Sequence, residues 1–320
     1  MILMLPQAAA LIGLDLLALI LAAFALATAL RVLKSWDFTS SAPEQYRLEK
    51  RVYLAAVLVL FVLAIKGALL PFFVFLLDRL SSLLPGAMCA AGVVNANAYG
   101  TPLLFVRIIT AIGLGLWLVM HRLDLAEKTW PFTRAKFALF VPLFGLIALE
   151  PLLGVLFLAG LDTGSVVQCC SLLYGVAQTS GTLPLGINKT ALIALFATLG
   201  VLSVAAGILR HGVLSVAVAP VFLTVALLTV IYAVSPYVYE LPTHQCPYCL
   251  LQPEYHYMGY ALYGALLLGV FAQLSAGVAA LWLRREVKGL FWAGAGFIAL
   301  FLMICALYPI GYFVRNGVWL

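Results

Sequence analysis

The sequence predicts an all-α integral membrane protein, a bundle of about eight transmembrane helices with two four-helix halves. Three observations carry this. Of 320 residues, 65% are hydrophobic and only 9% charged, with a mean hydropathy of +1.13; soluble domains do not have that balance. Eight apolar runs each reach the roughly 20 residues a helix needs to cross a bilayer. The Lys and Arg residues collect in alternate connecting segments, which is how orientation is set in a membrane. The intervening segments are too short for a soluble domain, so 1–320 is read as a single polytopic domain. The net charge of +6 is then an orientation signal and gives no reason to expect a nucleic-acid partner. No G-x-x-x-x-G-K-[ST] phosphate loop occurs, which argues against an intrinsic ATP-driven pump.

The first run, Leu11 to Val32, has no basic residue ahead of it. It therefore lacks the n-region of a signal peptide and is expected to stay as an uncleaved helix with its N-terminus outside. Arg31, Lys34, Arg47, Lys50 and Arg51 form the first inner segment. The second run, Val52 to Leu77, leads to an outer loop with Cys89, and the third runs from Pro102 to Met120. Arg122, Lys128, Arg134 and Lys136 mark the next inner segment, before a fourth run from Phe137 to Gly160. An outer segment with Cys169-Cys170 precedes the fifth run, Thr190 to Leu209. Arg210 marks a tight inner turn, and the sixth run is Leu214 to Val234. The outer loop that follows holds His244-Gln-Cys246-Pro-Tyr-Cys249 and His256. The seventh run, Ala261 to Leu283, ends at Arg284, Arg285 and Lys288; the eighth, Leu290 to Pro309, ends outside. This topology puts the basic residues on the cytoplasmic side of a bacterial-type inner membrane. Both termini and all the cysteine loops are then extracytoplasmic.

Each half carries its cysteine loop between its second and third helix. Leu84-Pro-Gly-Ala-Met88-Cys89 lines up with Leu241-Pro-Thr-His244-Gln-Cys246. The match is either a parallel pseudo-repeat of 1–160 and 190–320 or coincidence in a short, Gly-rich alignment.

Five of the six cysteines fall in outer loops, and Cys305 lies close to the outer end of its helix. Thiols acting as small hydrophobes would scatter through all depths; one-sided placement points to pairing or metal binding where disulfides persist. Two residues between Cys246 and Cys249 permit an intrachain redox dithiol, with Cys246 as the attacking thiol. Cys169 and Cys170 are the secondary catalytic candidates. Adjacent cysteines bond different partners more easily than each other, and Cys89 is the expected partner of one of them. The rival reading is a soft-metal site for copper, zinc or mercury, built from His244, Cys246, Cys249 and His256, with Met88 near at hand. The bland reading is a static loop disulfide. A haem-attachment motif is excluded, because Leu250 follows Cys249 where histidine is required. Eight of the fourteen tyrosines lie between Tyr232 and Tyr263. They are either an interfacial aromatic belt or a floor for a ring-shaped ligand.

The tetrapeptide Cys246-Pro-Tyr-Cys249 resembles the C-P-Y-C centre of glutaredoxins, over those four residues alone. Paired outward-facing cysteines in a helical membrane protein also resemble, in architecture, the quinone-linked thiol oxidases of the DsbB and vitamin K epoxide reductase type. That resemblance implies a quinone and an extracytoplasmic thioredoxin-like partner. The metal reading implies a metallochaperone instead, and a third reading is a non-catalytic subunit that docks a partner through its outer loops.

Charges within spans are costly and face a partner or a water-filled cavity. Counted from the helix ends, Lys66 and Glu150 sit near mid-depth, and Asp15 and Arg107 in the outer third. Two ion pairs at two depths are expected, Lys66 with Glu150 and Asp15 with Arg107. They either fix helix register or, through Lys66, Arg107 and Glu150, line a polar track for protons or a quinone headgroup.

Overall fold

The computed structural model describes residues 2–37, 42–87, 89–127, 129–164, 166–167, 188–242 and 244–320. Among them, eight helices are long and apolar enough to cross a membrane. They are α1 (Pro6–Ser35), α2 (Pro43–Ser81), α4 (Gly100–Leu125), α5 (Thr133–Ala159), α6 (Lys189–Ile208), α7 (Gly212–Tyr239), α8 (Met258–Trp282) and α9 (Lys288–Asn316). A short helix, α3 (Ala90–Val94), lies between α2 and α4. Each helix covers nearly all of its apolar run and most extend past it. Pro43 starts α2 well ahead of Val52 because proline at the first helical turn gives up only an N–H that has no intrahelical acceptor there. Pro309, the expected end of the last run, lies inside α9. Internal proline is tolerated in such helices when neighbouring groups satisfy the freed carbonyl. In α7 the backbone widens into a π turn at Val230–Val234. Pro236 follows at once; its ring would otherwise meet the Tyr232 carbonyl four residues back.

The chain forms two compact units, Met1–Val167 and Gln168–Leu320. In the first, α1 packs on α2 and α5, and α4 packs on the same two helices. In the second, α6 packs on α7 and α9, and α8 packs on the same two. Among the described residues, both units are thus four-helix rings with the same cyclic order.

The first unit is built on a seam with a 3.5-residue period. In α1 the buried positions run Ala8, Leu11, Asp15, Ala18, Ala22, Ala25, Ala29 and Val32. Six of the eight are alanine or valine-sized, so the α2 and α5 backbones approach closely. The partners supply bulk: Val52, Val59, Val62 and Phe73 from α2, Trp117 from α4, and Phe137, Phe140 and Phe157 from α5 are all buried. In the second unit close approach falls to glycine. A Cβ on Gly277 of α8 would stand 2.6 Å from Val216 Cγ2 and 2.8 Å from the Gly212 carbonyl oxygen of α7.

Candidate functional site

The loop from Glu240 to Tyr257 joins α7 to α8. It is shaped by three residues in the left-handed region, Glu240 (φ 54°), His256 (φ 53°) and Tyr257 (φ 56°). Non-glycine residues seldom adopt that conformation, and holding one there takes surrounding contacts. Backbone bonds from the His256 and Tyr257 amides to the Pro253 and Gln252 carbonyls brace two of them, and two tyrosines from the flanking helices tie down the middle of the loop. The Tyr239 hydroxyl at the end of α7 donates to the Cys246 carbonyl. The Tyr263 hydroxyl of α8 donates to the Pro247 carbonyl at 2.8 Å. The Tyr239 ring lies between His244 (centroids 4.2 Å apart) and Tyr255 (4.5 Å). A 3₁₀ turn, Cys249–Leu251, closes the segment.

This frame brings Cys246 and Cys249 together, with Sγ atoms within 4.8 Å of each other. Cys246 is 0% exposed and Cys249 8%. Burial, and next the neighbouring Cys249, push the Tyr255 phenol above its ordinary range. Neither cysteine is in a disulfide, which corrects the expectation of a static loop bridge; Cys89 and Cys305 are thiols too. Cys89 is buried at the start of α3; the bridge expected from it falls on residues outside those described. Cys169, Cys170 and Met88 lie outside the described residues.

The four-ligand metal set is not assembled. His244 packs against the Tyr239 ring instead, its plane tilted by 46°. His256 is exposed in its left-handed turn, and neither histidine groups with the two sulfurs. The tyrosines divide between roles. Tyr257 and Tyr260 are exposed like an interfacial belt, while Tyr239 and Tyr263 are hydrogen-bonding posts for the loop.

The first unit carries the four charged residues that interrupt the long apolar helices. Lys66 Nζ donates to Asp15 Oδ1 at 2.7 Å and to Glu150 Oε2 at 2.9 Å. Arg107 reaches Asp15 Oδ2 at 2.5 Å and Glu150 Oε2 at 3.4 Å, and its guanidinium covers the Phe73 ring at 4.9 Å. Both expected pairs form, but not at separate depths. The long Lys and Arg side chains span the offset counted along the helices, and all four residues join one ring of alternating charge. Each is at most 3% exposed, so each ion loses several kcal/mol of hydration that pairing must offset. Glu150 Oε1 and Arg107 Nε have no hydrogen-bond partner among the described residues, which leaves the ring one acceptor and one donor in reserve.

A second buried cluster was not anticipated from sequence. Lys136, counted there as a loop charge, is 2% exposed. Its Nζ donates to Asp124 Oδ2 at 2.5 Å and lies 3.3 Å from His121 Nδ1. Asp124 also accepts from the Phe132 amide and the Thr133 hydroxyl, both at 2.7 Å, and so caps α5 from outside the helix. The signal was the seam itself. Arg107, Thr110, Leu114, Trp117, His121 and Asp124 alternate by three and four along α4, so Asp124 shares a face with Arg107.

Comparison with protein families, curated proteins and solved structures finds no match for this chain. Its class rests on the fold: a helical protein with, among the described residues, eight helices long and apolar enough to cross a bilayer. It carries a buried dithiol in one unit and a buried charge ring in the other.

Proposed function

We propose that this chain is a multi-pass protein of a bacterial-type cell membrane that carries out thiol–disulfide exchange through Cys246 and Cys249. The observation that carries the proposal is the pair of thiols held within 4.8 Å by a hydrogen-bonded turn. At that separation, side-chain rotation can bring the sulfurs to bonding distance. In the reaction, the Cys246 thiolate attacks a partner disulfide and forms a mixed disulfide. Cys249 then displaces the partner's second thiol. The partner gains two thiols and the chain holds a Cys246–Cys249 disulfide, so electrons and protons balance between the two proteins. The partner is an extracytoplasmic thioredoxin-like protein, and the chain's own redox counterpart is a membrane quinol, whose oxidation to the quinone supplies the two electrons and two protons that return the Cys246–Cys249 disulfide to thiols. The alternating basic segments support an orientation with the loop outside.

The test is differential alkylation of the purified full chain across a series of thiol–disulfide buffers, followed by peptide mapping. A reversible transition of the peptide holding Cys246 and Cys249, with Cys249→Ser trapping a mixed disulfide, is the expected result. Thiols that stay alkylatable at every buffer ratio would refute it. So would copper or zinc retained after purification and lost in Cys246→Ser, which would assign the pair to metal handling.

A further inference from the structure

The first unit contains a cavity of about 190 Å³ beside the Asp124–Lys136 cluster. Val57 and Leu60 of α2 form one wall, Tyr53 and Trp130 flank it, and His121 and Lys136 supply the polar end. Most of the lining is apolar. Tyr53 is 66% exposed, and Leu54 and Phe61 stand exposed on the same helix.

The polar end presents donors. An ammonium group has three N–H donors and no acceptor. Lys136 uses one on Asp124 Oδ2 and another on His121 Nδ1. Nδ1 must then be the acceptor, so the neutral ring carries its proton on Nε2. Stacking on Trp117, with centroids 5.0 Å apart and planes 19° apart, fixes the ring's orientation. The Nε2–H of His121 has no hydrogen-bond partner among the described residues, and beyond its two bonds Lys136 Nζ faces only the Phe137 ring, 5.8 Å away. Charge is already balanced, since Asp124 neutralises Lys136. A phosphate or carboxylate would bring an uncompensated charge into a buried site. An uncharged carbonyl oxygen would take both donors without that cost.

We propose that this cavity binds the uncharged carbonyl head of a membrane amphiphile: a lipid-soluble quinone ring or the ester carbonyl of a neutral glycerolipid. The proposal rests on the first unit alone and does not depend on the dithiol.

The test uses the full chain in phosphatidylcholine nanodiscs with a photoreactive azido-quinone, the labelled peptides being mapped by mass spectrometry. Saturable labelling of the peptides holding Tyr53–Leu60 and Trp130–Lys136 is expected. Competition identifies the source: protection by short-chain ubiquinone marks a quinone site, and protection by diacylglycerol alone marks a glycerolipid site. His121→Phe keeps the stack on Trp117 and removes the donor, and should weaken labelling about tenfold. Because that variant also removes an acceptor from Lys136, Tyr53→Ala at the exposed mouth provides a second reduction that leaves the core intact. Labelling spread over all helices, or protection only by anionic phosphatidylglycerol, would overturn the proposal.

Discussion

Replacing Lys66 by methionine tests whether the four buried charges act as one unit. Methionine keeps most of the apolar stem and removes the ammonium that holds Asp15 at 2.7 Å and Glu150 at 2.9 Å. Two carboxylates then face Arg107 alone. Removing one partner from a buried ion pair costs about 3–5 kcal/mol, because the other charge stays behind without compensation. For a unit of this size each kcal/mol is worth about 2–4 °C, so the melting temperature should fall by roughly 6–20 °C. Adding Glu150→Gln restores neutrality, leaving Asp15 against Arg107, and should return much of the loss. The coupling between the two substitutions should reach at least about 2 kcal/mol. Near-ultraviolet circular dichroism of the purified protein in detergent, on wild type, both single variants and the double variant, measures the cycle. Additive losses, or a loss below about 1 kcal/mol in Lys66→Met, would refute the idea of a single network.

Tyr239→Phe removes the donor to the Cys246 carbonyl. An unpaired buried carbonyl costs about 1–3 kcal/mol, so Cys246 should react with maleimide about tenfold faster; an unchanged rate argues against the tyrosine as a post. Gly277→Ala places a methyl 2.8 Å from the Gly212 carbonyl oxygen and should cost about 1–3 kcal/mol by thermal unfolding. Gly289→Ala meets nothing within 4 Å and should be neutral or slightly stabilising; equal effects at the two glycines would contradict the close contact of α7 with α8. For orientation, Glu127→Cys should label with an impermeant maleimide only after cells are opened, and Asn316→Cys should label in intact cells. The reverse pattern would invert the proposed topology.

Composition and hydrophobic run length determined the number of helices long and apolar enough to span a membrane among the described residues, and nearly all of each core segment. Bilayer thickness sets one length and an all-apolar requirement, and both can be counted along a chain. The buried charges were also legible, since Asp15, Lys66, Arg107 and Glu150 interrupt apolar runs. What counting could not supply was how far their side chains reach. Lys66 and Arg107 each touch both carboxylates, a matter of helix stagger and side-chain length. Lys136 looked like a loop charge because it precedes the apolar run; only the packing of α5 on α4 put it beside Asp124. In the cysteine loop the sequence brought Cys246 and Cys249 into range through their spacing. Whether His244 and His256 joined them was decided by tertiary structure. The Tyr239 ring captured one, and a left-handed turn exposed the other. Residue type and spacing act locally, whereas the direction of a side chain in an irregular loop depends on groups brought in from other helices.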